Sequence, residues 1–450
     1  MGINGGAAVI LKSILSWADE RLGVGGTLKG LLFKPIKGGA KYIFSLGFVN
    51  LFLFVNQMLT GMFMMFYYVP SPDHAYFAVK YIQNEAPFGY MVRGLHYWGA
   101  TAMVVCVMLH VVRVFVYGAY KKPRELMWLS GAAMFFLVFG FAFTGYLLPW
   151  DQKAYWATVV GTNVPGTTPV VGNLIVRLLR GGTDVSAVTL TRFFTIHTMI
   201  LPWTIAAFMV MHLTILQLVD HAPPWDQNKA RKSAPFYPDQ VFKDAVLMLL
   251  VFATIAFMAT VRPGVLEPLA DPTDHTYNPR PEWYFFFLFQ LLHYTEGRFE
   301  IIGTMVLPNL FVLLMLIIPF IDRNPERDPG KRPVAISGLA AALLGYIALT
   351  TIAAVSTGPV PISAAPEKPT VTEGRQLYAK LGCISCHAIN GVGGVVAPAL
   401  DHVGTRRDRQ WLAGHFVDPQ KYAPGSVMPK FDYLTKEDLD RLTDYMQSLK

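Results

Sequence analysis

The sequence predicts an all-α membrane protein: a seven-helix transmembrane bundle with a small all-α soluble domain at its C-terminal end. Three observations predict it. Of 450 residues, 53% are hydrophobic and only 15% charged, whereas a soluble protein carries about a quarter charged residues. Seven stretches lack Asp, Glu, Lys and Arg over a length that can cross a bilayer, which takes about 20 mostly apolar residues. Beyond the seventh the chain turns polar and charged. High apolar and aromatic content excludes disorder, and three cysteines exclude a disulfide scaffold. The net charge of +8 falls mostly on short loops between apolar runs. That is orientation charge rather than a nucleic-acid surface, so no nucleic-acid partner is expected.

Residues 1–41 form an N-terminal segment in which residues 5–22 read as an amphipathic surface helix. Its first apolar run, Ala7–Leu15, is short and lacks a small-residue cleavage site, so insertion is expected to start from an internal helix. The spans lie in Tyr42–Pro72, Gly94–Val112, Leu126–Trp150, Phe193–Val219, Ala245–Val261, Ile301–Ile321 and Pro333–Pro366. The fifth is at the short limit. Trp283–Thr295 is apolar but too short to span and reads as an interfacial or re-entrant helix. The expected domains are 42–240 (spans one to four), 241–355 (spans five to seven), a linker at 356–370 rich in Pro, Ala and Ser, and a soluble domain at 371–450.

Lys and Arg in the loops set the orientation. Lys29, Lys34, Lys37 and Lys41 precede the first span; Lys121, Lys122 and Arg124 follow the second. Lys229, Arg231 and Lys232 follow the fourth, and Arg323, Arg327, Lys331 and Arg332 the sixth. Seven spans put all of these on one side. The N-terminus is therefore expected in the cytoplasm and residues 371–450 outside.

Histidine inside a spanning helix is costly and usually functional. The second span has His96 and His110, the fourth His197 and His212. A separation of 14 residues is about 21 Å and returns to nearly the same face; 15 does so less well. The two helices run in opposite directions, so His96 pairs in depth with His197 near the outer side, and His110 with His212 near the inner side. Two bis-histidine hemes are the natural occupants. Core or interhelical hydrogen-bonding histidines are the plain alternative, which four at matched depth make a poor account. Gly47 and Gly61 in the first span, and Gly131 and Gly145 in the third, are also 14 apart. A flat macrocycle needs that close backbone approach; small-residue helix packing explains one pair but not the matched spacing. Arg93 and Arg113 each sit about one turn from a histidine toward the nearer interface, where heme propionates want a cation; snorkelling to headgroups accounts for them equally. Cys106 reads as a packing residue.

The stretches Arg93-Gly-Leu-His96, Lys121-Lys-Pro-Arg-Glu-Leu126, Thr144-Gly-Tyr-Leu-Leu-Pro-Trp-Asp151, Thr191-Arg-Phe and Pro281-Glu-Trp-Tyr284 resemble the cytochrome b subunit of the quinol:cytochrome c oxidoreductase family over roughly residues 30–355. The 15-residue histidine gap, the run Thr60–Tyr68 and the KKPREL string are similar to the b/f type of photosynthetic membranes, whose two parts are separate chains; here they are fused. That type attaches an extra heme to a cysteine early in the first helix, a position this chain matches with Ser45. No covalent extra heme is expected.

The resemblance implies that Glu282 accepts a proton from quinol at an outer site, with Tyr284 helping to line the pocket. A partly buried carboxylate suits that work; a helix-start carboxylate behind Pro281 is the plain alternative. It implies bifurcation: one electron to a separate Rieske iron–sulfur protein, the other through the outer heme (His96, His197) to the inner heme (His110, His212), where quinone is reduced in a proton-translocating Q cycle. It implies a homodimeric complex among lipid. Asp220 and His221, at the inner end of the fourth span, are candidate proton carriers for the inner quinone site, or solvated loop residues.

Cys383-Ile-Ser-Cys386-His387 matches C-x-x-C-H, the c-type heme attachment signature. The cysteines form thioethers and His387 binds iron; a zinc site would want a second ligand pair. Met428, in Ser-Val-Met-Pro, is the candidate second axial ligand, with a core methionine as the alternative; His402 and His415 are less attractive. The last helix, Lys436–Leu449, starts behind Thr435 with Asp438 as capping partner. The order resembles a class I cytochrome c. The sequence thus reads as a fused cytochrome b/cytochrome c subunit of a bacterial cell membrane. It carries two b hemes and one c heme and passes electrons to a soluble cytochrome or terminal enzyme. The rivals are a heme-wire anchor of a dehydrogenase and a histidine-bearing transporter.

Overall fold

The computed structural model describes residues 32–356 and 369–449, except 227, 229–230, 273, 275–276, 278–279, 390–391 and 395–396, together with scattered positions between 13 and 30. The surface helix expected at 5–22 and the linker at 356–370 lie largely outside the described residues.

Seven helices are long and apolar enough to cross a membrane: α1 (Leu46–Met65), α3 (Gly89–Val116), α4 (Glu125–Tyr146), α7 (Ala187–Val219), α8 (Phe236–Val261), α10 (Gly297–Ile321) and α11 (Pro333–Val355). Between them stand the shorter α2 (Ala75–Asn84), α5 (Gln152–Asn163), α6 (Gly172–Arg180) and α9 (Phe286–Tyr294). Each span expected from the sequence is present, but several ends move. A search for charge-free runs stops at the first ionisable residue, and a helix does not. So α3 takes in Arg93 and Arg113, and α8 starts at Phe236 and takes in Lys243 and Asp244. The short fifth stretch thereby becomes a full span. The apolar Trp283–Thr295 segment folds as a 3₁₀ turn and the nine-residue α9, too short to cross.

A four-helix core carries the histidines. α1 packs on α3, α4 packs on α7, and α3 meets α4 across the middle. Val49, Leu53, Val104, Val138 and Ile205 close the layer between the two histidine levels, with Cys106 among them as packing. α8 lies against α1 and α3, α10 against α4, and α9 against α11. The outward faces stay apolar and exposed, as lipid requires.

The two ends of the bundle are finished differently. At the Glu282 end, α5 docks on the connection between α8 and α9. Asp151 caps α5 by accepting from Ala154 N (2.8 Å) and also accepts from Glu267 N (3.1 Å). At the other end, β1 (Pro35–Lys37) pairs antiparallel with β2 (Ser233–Pro235). There Asp322 gathers Lys121 (2.7 Å), Arg332 (3.3 Å) and the Tyr120 hydroxyl, tying the α3–α4 connection to the α10–α11 connection.

The C-terminal domain is a separate all-α unit: α12 (Pro369–Lys380), α13 (Val403–Arg406), α14 (Arg409–Val417), α15 (Pro419–Tyr422) and α16 (Lys436–Ser448). α12 crosses α16 at Gly374, where a Cβ would meet the Arg441 carbonyl. Tyr378, Leu412, Phe416, Leu442 and Met446 form its core. Thr435 caps α16 by accepting from Asp438 N, as the sequence predicts.

Candidate functional site

The four histidines occupy α3 and α7 and face across the bundle. The ring centres of His96 and His197 are 6.3 Å apart, with 64° between their planes. An iron bonded to both at the usual metal–imidazole length of about 2.0–2.1 Å puts the two ring centres about 6 Å apart. The gap therefore fits one axially ligated iron.

The hydroxyls beside the rings fix which nitrogen faces that gap. Thr60 Oγ1 lies 3.0 Å from His96 Nδ1, Thr144 Oγ1 3.1 Å from His197 Nδ1, and Ser130 Oγ 2.8 Å from His212 Nδ1. Each hydroxyl already donates to a carbonyl of its own helix: Asn56, Gly140 and Met127 respectively. Each must then accept from Nδ1–H, which leaves Nε2 with a free lone pair for a metal. The glycines stand against the same rings. A Cβ at Gly145 would sit 2.6 Å from His197 Cε1, and at Gly61 3.4 Å from His96 Cε1. At Gly131 it would be 3.4 Å from His212 Cε1, and at Gly47 3.6 Å from His110 Cε1. The glycines thus admit the imidazoles edge-on as well as leaving room for a macrocycle.

The uneven spacing is resolved by a π turn. Residues Ile196–Ile200 are π-helical, and Leu201 N–H bonds to Ile196 O, five residues back. Pro202 follows and cannot donate to a turn of its own. The extra residue is absorbed there, so 15 residues place His197 and His212 on one face as 14 place His96 and His110.

Both expected arginines are cations that a carboxylate ligand would suit, Arg93 buried and Arg113 half-buried. Arg93 donates to the Gln83 side chain and to the carbonyls of Gly264 (2.5 Å) and Val265 (3.1 Å). Arg113 lies over the Phe44 and Tyr117 rings, and its Nε is buried without a hydrogen bond among the described residues.

A cleft opens beside His96 and His197, and Arg93, Lys153, Glu282 and Tyr284 share its walls. A second, apolar pocket lies behind it, lined by Pro281, Phe285, Leu288 and Val160. Tyr146 borders both. Glu282 Oε1 pairs with Lys153 Nζ at 2.8 Å. Burial is the largest single influence on the Lys153 ammonium and pushes it down, but the Glu282 charge and hydrogen bond, together with Tyr97 and Glu267, hold Lys153 above the ordinary lysine value. Burial pushes the Tyr284 hydroxyl up, and the Glu282 charge adds to it.

At the opposite end, the expected pair is less alike than the sequence suggests. Asp220 forms an exposed ion pair with Lys34 (2.5 Å), whose hydrogen bond holds the carboxyl below its ordinary value. His221 packs on Phe44, 6.3 Å between ring centres, and its Nε2 is buried without a hydrogen bond among the described residues. Burial pushes its imidazole down, against the pull of Asp220. The residue missed from sequence is Asp244. It is buried inside α8, accepts from Gln240 Nε2 at 2.8 Å through one oxygen, and leaves the other without a hydrogen bond among the described residues. The same Gln240 amide donates to Ser45 Oγ (3.1 Å), so the serine is wholly buried in this network. The charge interrupting an apolar stretch was the available signal. Thr60, Ser130 and Thr144 were legible too, as a hydroxyl residue directly before a glycine three times over.

In the C-terminal domain, His387 Nδ1 donates to Pro398 O (2.7 Å), which again leaves Nε2 for a metal. Tyr378 OH donates to His387 O (3.0 Å). Cys383 and Cys386 are free thiols flanking the partly exposed Ile384, and burial pushes the Cys383 thiol up. Met428 packs on the domain core. His415 instead stacks on Trp411 at 4.6 Å.

Comparisons with known proteins agree with this geometry. The family model described as Cytochrome b/b6/petB matches residues 32–219, and that described as Cytochrome b(C-terminal)/b6/petD matches 269–365. The Cytochrome c model matches 371–450. A cytochrome bc complex cytochrome b subunit of Chlorobaculum thiosulfatiphilum is 34% identical over 75% of this chain and 80% of that protein. The chain belongs to the cytochrome b subunits of cytochrome bc complexes. Cytochrome b6 of Synechococcus elongatus is 41% identical over 46% of this chain and 96% of its own length. A chain of a solved structure titled Hyperthermophilic respiratory Complex III aligns at TM-score 0.69 and 28% identity, covering 77% of this chain and 92% of that one. This cytochrome b is thus fused to a C-terminal cytochrome c domain. It is an integral membrane protein of the electron-transfer machinery, a component of a multi-subunit complex, and its domains carry b-type and c-type hemes.

Proposed function

We propose that this cytochrome b/c fusion oxidises quinol at the Glu282 end of its bundle and returns one electron of each pair to a quinone at the Asp244 end. The observation that carries the reading is the wall between the two cavities. Pro281 faces the apolar pocket, which suits a quinol ring and tail, while Glu282 faces the cleft beside His96 and His197. A proton leaving a quinol hydroxyl in the first can be taken by a carboxylate that opens into the second. Tyr284, kept neutral by burial and the nearby carboxylate, lines the cleft and holds that wall.

His96 with His197, and His110 with His212, hold one b-type heme each; Cys383, Cys386, His387 and Met428 hold the c-type heme. When bound, the hemes supply one-electron transfer along the bundle and out through the C-terminal domain. Arg93 and Arg113 are the cations that would pair with their propionates. The quinol gives its two electrons singly, one to a Rieske iron–sulfur partner and one toward the other end. There Asp244 and His221, which hold polar atoms without a hydrogen bond among the described residues, supply protons to the returning quinone, while Asp220 is held by Lys34. The Lys and Arg loops favour that end on the cytoplasmic side of a bacterial cell membrane, with the cytochrome c domain outside, and the family resemblance favours a dimeric complex.

The test is quinol oxidation by the whole complex with Glu282→Gln. We expect a fall of about 100-fold or more in kcat with both b-heme bands retained. Unchanged quinol oxidation, insensitive to inhibitors of the Glu282-end pocket, would favour a plain heme wire.

A further inference from the structure

We propose that Lys153 is the positioning residue of the Glu282 proton acceptor: its ion pair holds the carboxylate turned into the cleft until a proton arrives. This rests on the quinol-oxidising role of Glu282 proposed above.

Lys153 is the second residue of α5. A cation in the first turn opposes the helix dipole, so the helix gains nothing from it there. The tie between α5 and the α8–α9 connection does not need it either. Asp151 accepts from Glu267 N, Gln152 N donates to Pro268 O (2.9 Å), and the Gln152 amide bonds Asp271 N (3.0 Å) and Asp274 Oδ2 (3.1 Å). Lys153 reaches past this seam to Glu282 at 2.8 Å, with the two side chains only 26% and 15% exposed. Its ammonium also lies 5.6 Å from the centre of the Tyr146 ring, the residue shared by both cavities. Other charged and titratable groups around the pair are Tyr97, Arg93, Asp151, Glu267 and Tyr284. The Arg93 guanidinium is engaged with Gln83, Gly264 and Val265, and Glu267 accepts from Tyr277 OH at 2.5 Å. Lys153 is the cation bonded to Glu282 among the described residues.

The ammonium attracts Glu282 only while it is charged. An O–H bond of quinol breaks, its proton joins a Glu282 oxygen, and the ion pair becomes an ordinary hydrogen bond. The neutral carboxyl, no longer held by an ion pair, gives the proton up into the cleft it already faces, and the returning charge restores the pair. Lys153 itself neither gains nor loses a proton.

The experiment measures steady-state quinol oxidation by the whole complex for Lys153→Met, Lys153→Gln, Lys153→Arg, Glu282→Gln and the Lys153→Met, Glu282→Gln double variant. Reduced b-heme spectra verify folding. We expect Lys153→Met and Lys153→Gln to lower kcat about 10-fold with KM within about 2-fold, since Lys153 faces the cleft and not the apolar pocket. Lys153→Arg should recover most of the rate, and the double variant should be no slower than Glu282→Gln alone. A raised KM with unchanged kcat, independent losses that multiply in the double variant, or no recovery with Arg would overturn the proposal. Full activity of the folded Lys153 variants beside a slow Glu282→Gln would sink Lys153 alone. A fully active Glu282→Gln would sink the proton-acceptor reading and this inference with it.

Discussion

The two ends of the bundle hold matched histidine pairs but surround them differently. At the Glu282 end both histidines rest on hydroxyls, Gly145 is pressed against His197, and the carboxylate is paired with a cation beside a large cleft. At the Asp244 end, Gly47 follows Leu46, which has no hydroxyl to offer His110. There the buried carboxylate and His221 each keep a polar atom without a hydrogen bond among the described residues. The first end is preorganised around charges already satisfied in the fold. The second holds groups whose desolvation is uncompensated until a ligand or water reaches them. Matched histidine pairs are thus set in unlike polar surroundings at the two ends.

The largest effect tests whether the pairs are independent. His197→Leu and His212→Leu should each remove about half of the b-type heme and leave the c-type heme, by pyridine hemochrome assay. Loss of all b-type heme in either would show one shared site instead of two. Next come the glycines. Gly145→Ala, with its Cβ 2.6 Å from His197 Cε1, should destabilise the heme-loaded protein by about 1–3 kcal/mol and shift the His197 heme spectrum. Gly47→Ala, at 3.6 Å, should cost clearly less in the same thermal melt. Equal losses would mean the macrocycle, not the ring edge, sets the tolerance.

Asp244→Asn separates the ends functionally. It should slow reoxidation of reduced b-type heme by quinone by about 10-fold while a single turnover of quinol oxidation stays near normal. A defect confined to quinol oxidation would reverse the assignment of the two ends. The smallest effect is at Asp322. Burial there would raise the carboxyl, but hydrogen bonds from Lys121 and Tyr120 and the Lys121 and Arg332 charges hold it below its ordinary value. Its folded value is depressed, so its stabilisation is present at neutral pH and is lost as pH falls through that value, below about 4. Asp322→Asn should lower Tm by a few degrees near pH 7 and flatten the acid limb of the melt.

Much of this was legible along the chain because the bilayer leaves few options. Seven spans, the separate soluble domain and the four histidines follow from helix length, charge and period alone. The C-x-x-C-H motif is equally local. What the chain order does not carry is contact between residues far apart in sequence. The π turn before Pro202 decides that 15 residues count as 14. Hydroxyls on α1 and α4 decide which nitrogen of His96, His197 and His212 is free. Lys153 meets Glu282 across 129 residues of sequence, and Asp244 is buried beside Ser45 through the Gln240 amide. Sequence determined which chemistry is present, because residue type and helical period are local. Only the tertiary structure decided which atoms are paired and which are left waiting, because hydrogen bonds and desolvation depend on neighbours that packing brings together.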